Sequence, residues 1–128
     1  MYPSDLKYTK NHEFIKALGD GTAVVGITSY AQEALGDVVF VDLPEIGADF
    51  AAGEEFGTVE SVKTVSEIFM PTAGQVLEVN AELEGHPEYV NEDPFGKGWM
   101  VKLRLAGPPA GDLLDAEGYA TLVSEESH

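Results

Sequence analysis

Val59-Glu60-Ser61-Val62-Lys63-Thr64-Val65-Ser66-Glu67-Ile68 is nearly palindromic. Centred on a two-residue turn at Lys63-Thr64, it sets Val62 against Val65, Ser61 against Ser66, Glu60 against Glu67 and Val59 against Ile68. The mirrored order of residue types about Lys63-Thr64 reads as a hairpin. Two features are unusual for a purely structural hairpin. Tight turns favour Asn-Gly or Asp-Gly, which tolerate positive φ; Lys-Thr does not, so a type I turn is expected. The register also opposes two carboxylates, which costs a few tenths to about 1 kcal/mol. The segment thus gives up local stability to present one lysine within an acidic collar, with Val62 and Val65 anchoring the turn.

Outward from this hairpin, the chain is mostly β. Leu6–Tyr8, Glu13–Leu18 and Thr22–Ile27 read as strands, with Gly19-Asp20-Gly21 as a turn cluster. Ser29-Tyr30-Ala31-Gln32 fits a capping box, predicting a short helix to Leu35 that stops at Gly36. Val38–Val41 reads as a buried strand ended by Pro44. Strands at Phe56–Val62 and Ser66–Met70 form the hairpin arms, and Pro71-Thr72-Ala73-Gly74 leads into a strand over Gln75–Val79. Asn80 to Gly98 is expected to be mainly loop, with Trp99 anchoring a core edge. Trp99–Leu105 is a strand with Trp99, Val101, Leu103 and Leu105 on one face. Pro108-Pro109 stops the sheet. A helix is expected over about 112–125, with Asp112 as its N-cap, Gly118 bending or breaking it, and Ser124–His128 frayed. Many short strands with Gly and Pro turns point to a mainly β sandwich or barrel, and 128 residues suit one domain spanning 1–128.

Composition excludes several classes of function. Asp and Glu total 23 against 7 Lys and Arg, a formal net charge of −16. Such a surface repels nucleic acid and anionic lipid, and composition alone leaves level two uses for it, simple solubility and steered encounter with basic protein surfaces. No apolar run reaches bilayer length. The first residues carry neither a secretory signal nor an Arg-rich transit peptide. There is no cysteine, so disulfides, thiolate metal sites and cysteine nucleophiles are excluded. His12, His86 and His128 have no ligand spacing, and no metal site is expected. No serine lies in a nucleophile elbow paired with a histidine, so no catalytic residue is assigned. The candidate site is instead Lys63 itself, with Glu60, Ser61, Val62, Thr64, Val65, Ser66 and Glu67 as its hairpin. No other Lys or Arg lies between Leu43 and Lys97, so the amine is isolated from competing targets. The residues alone leave level a plain exposed turn lysine and one read by a modifying enzyme.

Glu60-Ser61-Val62-Lys63 resembles the lipoylation motif of the glycine cleavage system H protein family, and Pro71–Val76 its following turn and strand. His12-Glu13-Phe14, Gly26-Ile27-Thr28 with Ala31-Gln32, Leu35–Pro44 and Asn91–Trp99 match the same family in order. The resemblance covers nearly the whole chain, with 45–56 and 106–128 matching weakly. It implies a barrel-sandwich hybrid of two antiparallel sheets, similar to lipoyl and biotinyl domains, with a short helix in the N-terminal half and a C-terminal helix. It further implies lipoate as the cofactor, amide-linked to Lys63 by a lipoate ligase or lipoyl transferase. Such an arm reaches on the order of 14 Å by bond-length addition. The partners implied are glycine decarboxylase (a pyridoxal phosphate enzyme), the tetrahydrofolate-dependent aminomethyltransferase and dihydrolipoyl dehydrogenase, served by a monomeric, non-catalytic carrier of the aminomethyl group. The compartment expected is the cytoplasm, or the mitochondrial matrix for a processed chain. Glu13 and Glu67 are the family-implied candidates for a cleft where the loaded arm rests, one able to hold a protonated amine by a charge-assisted hydrogen bond. Three other readings stand beside this one: a lipoyl or biotinyl domain of a larger complex, an unmodified acidic β-module for a basic partner, and a relay of lipoyl groups to other domains. Against biotin, Lys63 is flanked by Val62 and Thr64, not by the methionines of biotinyl domains.

Overall fold

The computed structural model describes residues 2–107 and 112–126; the expectations for Pro108-Pro109 and His128 lie outside them. The chain is mainly β, with two antiparallel sheets and several short helices. One sheet joins β1 (Lys7–Tyr8), β2 (Glu13–Ala17), β3 (Thr22–Ile27), β9 (Val101–Leu105), β8 (Gly74–Val79) and β5 (Asp49–Phe50), in that order. The other joins β4 (Val38–Asp42), β6 (Glu55–Ser61) and β7 (Val65–Phe69). Ile15, Val25, Val76, Val101 and Leu103 from the first sheet meet Val38, Val41, Val59 and Ile68 from the second in one core. Each such side chain, fully buried, contributes about 1.5–3 kcal/mol.

α1 (Ser29–Leu35) begins one residue earlier than the capping box predicts. Thr28 is its N-cap, its Oγ1 accepting from the Ala31 N–H at 3.2 Å. It ends at Gly36, whose φ of +84° only glycine adopts freely. The predicted loop from Asn80 to Gly98 contains two single-turn helices, α2 (Glu82–Gly85) and α3 (Tyr89–Glu92), that bury Leu83 and Val90. β4 is not the buried strand its apolar run suggests. A bulge between Val38 and Phe40 turns Val39 and Phe40 outward. Trp99 precedes β9 and is only half-buried, lining a shallow groove with Phe14 and Phe95.

α4 (Ala116–Glu126) starts four residues after Asp112 and continues through Gly118 and into the stretch expected to fray. Asp115 does the capping expected of Asp112, accepting from the Gly118 N–H at 2.8 Å. Asp112 is left free for the bend that brings Leu114 beside Tyr8, where the two backbones exchange hydrogen bonds of 2.7 and 2.8 Å. A second apolar cluster under α4 holds Leu6, Tyr8, Phe14 and Tyr119, with the Tyr8 and Tyr119 rings stacked. The Tyr119 hydroxyl meets Thr28 Oγ1 at 2.6 Å and His12 Nδ1 at 2.8 Å, tying α4 to the start of α1. Tyr119→Phe removes both bonds and leaves the His12 nitrogen without this partner. A loss of about 2 kcal/mol is expected in urea unfolding.

Candidate functional site

β6 and β7 form the predicted hairpin, but the register differs by two residues. Glu60 pairs with Val65, Val59 with Ser66 and Thr58 with Glu67. The tip is Ser61-Val62-Lys63-Thr64, closed by the Ser61 N–H donating to the Thr64 carbonyl at 2.7 Å. A two-residue slip leaves every side chain on its predicted face, so the apolar pattern cannot detect it. What selects the observed register is Ser61. Its buried hydroxyl accepts from the Lys63 N–H at 3.3 Å and the Thr64 N–H at 3.2 Å, so the turn needs no positive φ. Glu60 and Glu67 therefore lie diagonally across the outer face instead of opposing each other. Val62 and Val65 do not anchor the turn; both are exposed.

The tip is braced from behind. The Val62 N–H donates to the Asp37 carbonyl at 3.0 Å. Asn91 on α3 holds the residues on either side of Asp37: its Nδ2 donates to the Gly36 carbonyl at 2.8 Å and its Oδ1 accepts from the Val38 N–H at 2.8 Å. The same Nδ2 reaches Gln32 Oε1 at 3.0 Å. Lys63 is exposed, and its stem lies over Gly36, where an added Cβ would stand 3.6 Å from Cε. Among the described residues no carboxylate approaches its ammonium within 4.0 Å. The backbone is thus fixed while the amine stays free. Asn91 was not among the sequence-based candidates; its place in the matched Asn91–Trp99 segment was the only signal.

Glu13, on β2, is buried, 2 % exposed. Thr9 Oγ1 donates to its Oε1 at 2.6 Å and the Phe69 N–H to its Oε2 at 3.2 Å. Among the described residues no cation pairs with it within 4.0 Å, and burial pushes its carboxyl up to about 7 against those two hydrogen bonds. It lines a cleft of about 490 Å³ with Thr9, Phe69, Met70, Leu113 and Leu114. Glu67 is not among the lining residues; it lies on the exposed outer face of β7. Phe69 is four residues along β7 from Val65, about 14 Å at a strand rise of about 3.4 Å. Lys63 lies two residues before Val65 at the tip, so a group on the order of 14 Å long hinged there reaches along β7 toward the cleft. His86 contacts Glu88 at the surface, and among the described residues no cluster of three or more His, Asp or Glu side chains could hold a metal.

The sequence profile of the glycine cleavage H-protein family matches residues 6–126. The chain belongs to this family. The glycine cleavage system H protein of Bacteroides thetaiotaomicron is 55 % identical over 124 residues, covering 96 % of this chain and 98 % of the relative. That of Mycolicibacterium smegmatis is 56 % identical over 127 residues, covering 96 % and 97 %. The crystal structure of a glycine cleavage system H protein from Mycobacterium marinum superposes with a TM-score of 0.90 at 44 % identity, covering 96 % of this chain and 99 % of that one. The H-protein family comprises the lipoyl carriers of the glycine cleavage system. The family match extends through the C-terminal segment where the sequence resemblance is weak, and with it the two-sheet architecture and C-terminal helix.

Proposed function

We propose that Lys63 is the lipoylation site and that the chain carries the aminomethyl unit of glycine on that arm. Glycine decarboxylase loads the arm, the aminomethyltransferase unloads it, and dihydrolipoyl dehydrogenase reoxidises it. The observation that carries this reading is the combination at the hairpin tip: a free, exposed amine on a backbone fixed by Ser61, Asp37 and Asn91. A lipoate ligase or lipoyl transferase forms the amide at Nζ, the activating group departs from the lipoyl carboxyl carbon, and the amine's proton passes to the modifying enzyme. The bound group supplies a redox-active dithiolane for the aminomethyl unit. The chain's own part is positional: Lys63 tethers the arm, and the cleft shelters its far end between encounters.

Glu13 gives that shelter its chemistry. A buried carboxylate without a cation is held near neutrality by desolvation; a protonated amine in the cleft would restore its charge through a charge-assisted hydrogen bond. The cleft therefore favours the aminomethyl-loaded arm over the empty one. This reading expects the cytoplasm as its compartment, an expectation supported by bacterial relatives; no helix among the described residues is long and apolar enough to cross a membrane. The test is reconstitution with a purified glycine decarboxylase. Chain loaded with lipoate should release CO2 from glycine in an amount stoichiometric with its lipoyl groups, each arm being reduced and loaded once, whereas Lys63→Arg should support only background. Equal amounts with both would sink the proposal.

A further inference from the structure

We infer that the outer face of the β4–β6–β7 sheet, centred on Phe40 and Val65, is the docking surface for the enzyme that acylates Lys63, which meets it with an apolar pocket rimmed by Lys or Arg. This rests on the reading of Lys63 as the acylated residue. Among the described residues, six large apolar side chains are exposed, and four of them surround the hairpin tip: Val39 (47 %), Phe40 (51 %), Val62 (70 %) and Val65 (59 %). The strand register explains the grouping. Phe40 pairs with Glu60 and Glu60 with Val65, so these three side chains form one row across the sheet. Asp42, Thr58 and Glu67 form the next row on the same face. With strands about 4.8 Å apart, Phe40 and Val65 stand about 10 Å from each other, with Val62 and Lys63 at the end of the row. A monomer gains nothing from apolar groups clustered at one corner; such a patch within a polar rim marks an interaction site.

Charge selects the kind of partner. Glu60 stands between Phe40 and Val65, Asp42 and Glu67 lie in the next row, and Lys63 is the only cation on these strands and their tip. A partner carrying Lys or Arg around an apolar centre is complementary to this face. Geometry selects which partner. The acylating enzyme must bring its reacting carbon to Nζ itself, at the hairpin tip that also carries Val62. Enzymes acting on the loaded arm work at its far end, on the order of 14 Å from the backbone, and need not cover its base.

The test compares acylation of the whole chain by a lipoate ligase with lipoate and ATP, as kcat/KM for the carrier. Phe40→Thr/Val65→Thr keeps β-branched residues in the strands, and Val62→Ser probes the same patch from the turn. Leu18→Thr, just past the end of β2, controls for loss of an exposed apolar group elsewhere. We expect the double variant to fall at least ten-fold and Val62→Ser several-fold, with Leu18→Thr unchanged. Once loaded with excess ligase, the patch variants should support glycine decarboxylation at the unsubstituted rate. Acylation at the unsubstituted rate in both patch variants overturns the inference. So does normal acylation joined to lost decarboxylation, which would assign the face to the decarboxylase, or a dimer of the unsubstituted chain that the double variant abolishes. Lys63→Arg separates the two levels. If it is still acylated, the reading of Lys63 itself fails; if it is not, a normal rate in the patch variants removes only the docking surface.

Discussion

At pH 8 the Glu13→Gln chain is expected to be more stable than the unsubstituted chain by about 3 kcal/mol relative to their difference at pH 4. The sign follows from the direction of the shift. The Glu13 carboxyl titrates near 7 in the folded chain and near 4.3 when unfolded. Between those values the folded state holds the extra proton, so stability falls as pH rises through the window and is level above it. At about 1.36 kcal/mol per unit, the span amounts to about 3 kcal/mol. Glutamine keeps an oxygen for the Phe69 N–H and never ionises, so its chain lacks this term. The other carboxylates titrate alike in both chains and cancel in the difference. Urea unfolding at half-unit steps from pH 4 to 8 measures it; a difference independent of pH would show that Glu13 is not held near neutrality. The same variant links stability to function. The charge that the empty cleft penalises is the one a loaded amine needs, so Glu13→Gln should gain stability and lose its hold on the loaded arm.

Asn91→Ala should destabilise the chain by about 3 kcal/mol. It leaves the Gly36 carbonyl and the Val38 N–H without partners, at roughly 1–3 kcal/mol for each such orphan. A generic core defect would loosen the molecule evenly. Here the loss should concentrate at the hairpin tip, because the Asp37 carbonyl that receives Val62 sits between the two residues Asn91 holds. Hydrogen exchange at the Val62 amide should therefore accelerate more than at Val25 or Val101 in the opposite sheet. Asn91→Asp separates the donor from the acceptor role: it keeps the bond from Val38 but turns an oxygen toward the Gly36 carbonyl and Gln32 Oε1. Equal acceleration at Val62 and Val101 in the alanine variant would contradict the brace.

What could be read from the sequence, and what could not, divides along physical lines. Strand alternation located β8 because burial on one face imposes a period of two, an apolar run located β3, and the mirrored sequence about Lys63-Thr64 located the hairpin. The same period hides a two-residue slip, so the diagonal placement of Glu60 and Glu67 was out of reach; it depends on the Ser61 hydroxyl turning inward to the tip. Thr28 and Ser29 are both competent N-caps, and the choice of Thr28 is made by Tyr119, 91 residues away, bonding the same hydroxyl. The outward turn of Val39 and Phe40 comes from a bulge, which an apolar run cannot announce. Glu13 in isolation is an ordinary strand glutamate. Its burial arises from β7 and the Leu113–Leu114 segment closing over it, and only the family resemblance pointed there.

The most direct test of the central claim is the mass of Lys63 itself. The chain is co-expressed with a lipoate ligase in the presence of lipoate, its intact mass is measured, and its peptides are sequenced by fragmentation. The account predicts one adduct of about 188 Da, carried by the peptide containing Ser61-Val62-Lys63-Thr64 and absent from Lys63→Arg. No adduct on the unsubstituted chain, or an adduct that persists after Lys63→Arg, would contradict it.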